Sequence, residues 1–184
     1  MNIFSFPVLV SMTIIITISS IIDYKYKRIP NYVTYPSILF GISYHFYTSG
    51  LDGLLFSLFG IIAGIGLLII PYFLDKIGAG DAKLLGAIGS FIGAKSVFIS
   101  FLYTAVAGGL YALLIMFLYK NKYNGYFKNF YYSGVNFVVT GKFYSFEDRE
   151  DISQRPKLCY GLAIAAGTGI FIIFEVAGIK VLPL

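Results

Sequence analysis

From Phe4 to Ile22 the chain carries no charged residue. A helix rises about 1.5 Å per residue, so this run is long enough to cross the roughly 30 Å hydrocarbon core of a bilayer. A secretory signal would show a positive start, a shorter apolar core and a small-residue cleavage site, so the run reads as a retained membrane helix. Apolar runs of the same kind recur along the chain. Set against turn residues and charges, they predict six helices, at about 3–22, 32–49, 53–74, 82–98, 100–119 and 159–179. Only 12% of the 184 residues are charged and 58% are hydrophobic, against about 25% charged in soluble domains. The expected fold class is therefore all-α, a polytopic membrane protein with about six transmembrane helices.

The fourth predicted helix is the weakest, because Gly86, Gly89 and Gly93 loosen it and Lys95 interrupts it. It is expected to be short, tilted or partly unwound. Gly60 and Gly64, like Gly89 and Gly93, form small-xxx-small patterns that let helices approach closely in lipid. The sizeable extramembrane stretch is 120–158, rich in Tyr, Phe and Lys and ending in "EDREDISQRPK". It reads as a cytosolic loop whose aromatics rest at headgroup level, with a gating role as the alternative.

Basic residues orient the bundle. With the N-terminus outside, Lys25, Lys27, Arg28, Lys76, Lys83, Lys120, Lys122, Lys128, Lys142, Arg149, Arg155 and Lys157 all fall on the cytosolic side, leaving only Lys95 and Lys180 outside. The positive-inside rule thus places Asp23 and Asp81 at cytosolic helix ends. The same rule accounts for the net charge of +5 without nucleic acid, since the charges are confined to loops and no recognition motif accompanies them. Cys159 is the single cysteine, which rules out an internal disulfide or a cysteine-based zinc site.

Asp81 stands in "GAGD", directly before an apolar run. Gly78 and Gly80 allow backbone conformations and close approaches denied to other residues. An acid near the bilayer is a functional candidate. An aspartate at a helix start also caps free amides and suits the helix dipole, so capping and function are both open for Asp81. A phosphate loop does not fit: the dinucleotide fingerprint needs glycine where this chain has Lys83, and no strand precedes it.

Asp23, an acid at a membrane interface, means little alone. Two carboxyls held together are different, because repulsion stops both from ionising and they share one proton. One then activates water while the other polarises a peptide carbonyl and helps protonate the leaving amine. Such chemistry uses neither a metal nor a cofactor. The single histidine, His45 in "SYHFY", is expected to be an interfacial polar residue on the opposite, outer side. Asp75 reads as a stop-transfer flank, and Glu175 lies inside the sixth predicted helix.

"IIDYKYKRIPN", 21–31, resembles the first signature of the prepilin peptidases: an aspartate at a helix end, a short basic stretch, then Ile29, Pro30 and Asn31. "GAGDAKLLGAIGSFIG", 78–93, resembles their second, Gly-x-Gly-Asp followed by Lys83 and a glycine-rich helix. The resemblance implies one membrane-embedded peptidase domain over 1–184. It would be an aspartyl protease of the type IV leader peptidase group, removing basic leaders from prepilin-like proteins at the cytosolic face of the cell membrane. Asp23 and Asp81 would be its catalytic pair. Gly78 and Gly80 would shape the second site, Ile29, Pro30 and Asn31 would form the turn into the second helix, and Lys83 is a motif position without an assigned role.

Larger members carry a cytosolic domain with paired cysteines that methylates the new N-terminus. The short step from Asp23 to Pro30 leaves no room for one. "LCYGLAIAAG", 158–167, is similar to a Pro-Tyr-Gly-x-Ala-Ile segment of the small members serving Flp-type pili, with Cys159 in place of proline. An archaeal preflagellin-processing relative is the alternative subfamily. A presenilin-like protease shares Gly-x-Gly-Asp, but its Pro-Ala-Leu signature is missing here. The alternative outside enzymes is a small transporter or pilus-assembly factor that uses both aspartates to bind ions or protons.

Overall fold

The computed structural model of the chain describes residues 5–73, 77–118 and 160–178. Asp75, the 120–158 stretch with its acidic cluster, and Cys159 lie outside the described residues. Among these residues four helices follow one another: α1 (Phe6–Tyr26), α2 (Asn31–Phe73), α3 (Ala79–Leu118) and α4 (Tyr160–Val176). All regular structure among the described residues is helical. α1, α2 and α3 are each long and apolar enough to cross a membrane, and α4 is a shorter apolar helix.

This differs from six separate helices. The expected 32–49 and 53–74 run together in α2, and 82–98 and 100–119 run together in α3. Each long helix contains one residue out of helical geometry, Gly50 (φ 61°, ψ −136°) and Gly93 (φ 76°, ψ 173°). A straight helix of 43 residues would measure about 65 Å, twice the hydrocarbon core. Glycine takes a positive φ at little cost, so the chain turns at these two points. At Gly50 the halves of α2 double back: Gly53 packs against the carbonyl of His45, and the Ser57 hydroxyl faces the carbonyl of Gly41 at 3.4 Å. The break in α3 comes at Gly93 rather than near residue 99, so 79–92 is the short segment its composition suggests.

That segment is the core. Leu84, Leu85, Ala87, Ile88, Phe91 and Ile92 are all buried, and Gly86 and Gly89 lie among them. Lipid tails are as apolar as leucine, so close contact rather than flight from water holds such a helix. The contacts are backbone to backbone. Gly60 packs on the carbonyl of Gly89 and Gly64 on that of Leu85, so any side chain at these glycines would overlap the neighbouring helix.

Further along, Ser100 and Thr168 share a buried hydrogen bond of 3.0 Å and Gly167 packs on the backbone of Thr104, which joins 94–109 to α4. Met1–Gly109 with Cys159–Leu184 form one compact unit, which holds every contact described above. Leu110–Leu158 form a second, of which only the end of α3 is described.

His45 corrects the expectation of an interfacial residue. It is buried, stacked edge-on against Tyr44 and Phe56, and it donates Nε2–H to the carbonyl of Phe91 at 2.8 Å. Phe91 precedes the break at Gly93, which removes the helical partner its carbonyl would otherwise have. The histidine supplies that missing donor.

Candidate active site

One stripe of α1 is buried: Val8, Met12, Ile16, Ser19 and, at its end, Asp23. These residues are three or four apart and so share a helix face. α1 then stops at Lys27, whose left-handed backbone (φ 54°) directs its amide onto the Asp23 carbonyl at 2.8 Å. Ile29 turns inward and is buried, Pro30 precedes the first turn of α2, and the exposed Asn31 opens that helix.

Asp81 lies in the first turn of α3. Its Oδ2 accepts the Gly78 amide at 3.1 Å, while its own amide donates to the Gly78 carbonyl at 3.1 Å. This is one half of a capping box, the acid three positions on reaching back to the cap amide, while glycine, without a side chain, takes the second bond on its carbonyl. Capping occupies only one oxygen. Oδ1 is buried and has no hydrogen-bond partner among the described residues.

Gly80 explains how the two signatures meet. A Cβ there would lie 2.8 Å from the Ile29 carbonyl oxygen and 3.1 Å from the Ile29 Cβ, so only glycine admits this contact between backbones. Neither Gly78 nor Gly80 has a positive φ. Of the two properties expected of these glycines, close approach is used at Gly80, and conformational freedom is used at neither. On its other side Ile29 extends its Cδ1 toward Gly161, the second residue of α4.

Gly161 donates its amide to Asp23 Oδ2 at 3.0 Å, and the Leu162 amide also faces this carboxylate. Ile29 thus packs between the start of α3 and the start of α4, and around it the Asp23 and Asp81 carboxyls lie within electrostatic range of one another. The Tyr160 phenol is also within range of Asp81. Ser19, one turn before Asp23 on the same stripe, is a second buried oxygen without a partner among the described residues.

The remaining expected site residues belong to this cluster. Lys83 donates to Asn31 Oδ1 at 2.9 Å and lies over the Tyr35 ring at 5.2 Å, which ties the second signature to the first. Tyr160 and Gly161 are additions: sequence reasoning noted their segment only as a subfamily resemblance. The signal was the Tyr-Gly pair opening an apolar run, the composition of a helix start whose amides are free.

Chemically, the arrangement offers two buried carboxyls from different helices, one of them held by another helix's N-terminus and the other with an oxygen that has no partner among the described residues. The family model of the type IV leader peptidases matches residues 10–113, which include both aspartates and end before α4. Comparison with curated proteins and with solved structures gives no match.

Proposed function

Because the chain belongs to the type IV leader peptidase family, we propose that it is a membrane aspartic endopeptidase in which Asp23 and Asp81 together activate water. One observation carries the reading: Asp81 is buried within electrostatic range of Asp23, with one carboxyl oxygen committed to capping and the other unpartnered among the described residues. In the reaction one carboxylate takes a proton from water as its oxygen adds to the peptide carbonyl carbon. The second, protonated carboxyl donates to the carbonyl oxygen. The tetrahedral intermediate then collapses, the C–N bond breaks, and the amine leaves with a proton from the pair.

The substrates are prepilin-like membrane proteins with short basic leaders, cut at the cytosolic face of the cell membrane. Six spans with the N-terminus outside bring both aspartates to that face. The breaks at Gly50 and Gly93 support this count, since each divides a helix too long for one crossing. The few residues between Asp23 and Pro30 support a protease without a methyltransferase domain in that loop.

The test is co-expression with candidate prepilins from the same genome, reading leader removal by gel shift and N-terminal sequencing. Wild type is expected to cleave. Asp23→Asn and Asp81→Asn, at unchanged membrane abundance, are expected not to. Cleavage surviving in both variants would overturn the dyad. A wild-type protein that cleaves no candidate, but moves ions in liposomes, would favour the transporter reading.

A further inference from the structure

The Lys83–Asn31 contact joins the two signature segments by side chains, Lys83 lying two positions after Asp81 and Asn31 eight after Asp23. Residues two apart on a helix point about 200° from one another. Lys83 therefore leaves α3 on a different side from Asp81 and reaches the start of α2. There Asn31 and Tyr35, one turn apart on the same face, receive its ammonium by a 2.9 Å hydrogen bond and a ring contact at 5.2 Å. Lys83 is half-buried at this point and its partner is exposed. Such a contact contributes little to holding a membrane bundle together, because water competes for it and residues 84–92 of the same helix are already buried.

Its leverage is local. Between the end of α1 at Tyr26 and the start of α2 at Asn31 the chain has a left-handed turn at Lys27 and a proline, and no helix of its own. The buried contact of Gly80 on Ile29 keeps the two segments close but is apolar at the side chain and has no preferred direction along the loop. A directional bond from Lys83 to the first residue of α2 supplies that direction. We propose that Lys83 and Asn31 are positioning residues, a clip between the two signatures that sets the separation of the Asp23 and Asp81 carboxyls.

The inference rests on the dyad reading for its kinetic consequence only, and the experiment keeps the two apart. The first arm measures distance without activity. In full-length protein with Cys159→Ala, Asp23→Cys and Asp81→Cys are joined by methanethiosulfonate crosslinkers of graded length, with and without Lys83→Met. Lys83→Met is expected to lose yield with the shortest crosslinker and keep it with the longest. Equal yields at every length would overturn the clip, whatever becomes of the dyad.

The second arm follows cleavage kinetics with a prepilin that wild type processes. Lys83→Met and Asn31→Leu are each expected to lower kcat about tenfold with KM held, since small misplacements of reacting groups act on the chemical step. The double variant is expected to be no slower than either single one, because both remove the same bond. Lys83→Arg, which keeps a donor, is expected to recover most of the rate. Losses that multiply, a loss carried by KM alone, or an arginine variant as slow as the methionine one would each overturn the proposal. Survival of cleavage in Asp23→Asn and Asp81→Asn, with a short-crosslinker loss still seen in Lys83→Met, would remove the dyad and leave the clip standing.

Discussion

The two aspartates sit at opposite ends of their helices. Asp81 occupies the first turn of α3, where free amides and the helix dipole favour a carboxylate, and its cap is made by the local chain through Gly78. Asp23 lies in the last turn of α1, where the dipole of its own helix disfavours negative charge. Its compensation comes from elsewhere: the Gly161 amide at the start of α4 and the charge of Lys27. One acid is held by residues three positions away and the other by a residue 138 positions away. A carboxyl at the favourable end of its helix needs only its neighbours, whereas one at the unfavourable end needs the fold.

This contrast breaks most severely if either carboxyl is removed. Asp23→Asn and Asp81→Asn are each expected to reduce leader cleavage by at least about a hundredfold, the scale of losing an acid–base partner. Initial rates on a co-purified prepilin would measure this. A loss in only one of the two would mean that the pair does not act as a unit.

Next in size is the contact through which both sites meet. Gly80→Val places a branched side chain against the Ile29 backbone, which cannot rotate away. It is expected to destabilise the protein by about 1–3 kcal/mol and to slow cleavage. Thermal unfolding in detergent, read beside activity, would check both.

The sharpest comparison is a matched pair of alanines at the two amide donors. At Gly161 a Cβ would lie 2.9 Å from Asp23 Oδ2, 3.0 Å from Ile29 Cδ1 and 3.1 Å from Asp23 Cβ, so Gly161→Ala must move the carboxylate. At Gly78 the nearest atom, Asp81 Oδ2, is at 3.3 Å and the next at 4.0 Å. Gly161→Ala is expected to slow cleavage roughly tenfold and Gly78→Ala by less than about threefold. The reverse order would mean that the long-range support of Asp23 matters less than the local cap of Asp81.

The smallest effect is expected at Gly66, where a Cβ would meet nothing within 4 Å. Gly66→Ala should leave cleavage unchanged and raise stability by about 0.5 kcal/mol through backbone entropy. It gives the baseline against which the other glycine variants are read.

Much of this was legible in the chain. Long uncharged runs can only be satisfied as membrane helices, and two aspartates carrying distinct signatures mark themselves whatever the packing. The placement of the breaks was half legible. Gly50 lies in the gap read between two runs, but Gly93 falls inside the fourth predicted helix, as one of three glycines that loosen it and as a packing position, because nothing local distinguishes a glycine used for contact from one used for φ. Gly93 serves both, with the Phe56 ring against it. His45 was misplaced for a related reason: its partner, the Phe91 carbonyl, is left without a helical partner only by a break in another helix.

What the sequence determined by itself is the membrane-helical class and the family, and it singles out the two acids as candidates, since each follows from run length or from residues adjacent in the chain. Tertiary structure alone decided which faces turn inward. Val8, Met12 and Ile16 are buried while Val10, Ile14 and Ile18 on the same helix are exposed, and both sets are apolar. In water the two faces would differ in polarity; in lipid they do not, so the pattern that directs a soluble helix is absent. The inward face of α1, and with it the direction of Asp23, is chosen by contacts with α2 and α4 that no local stretch encodes.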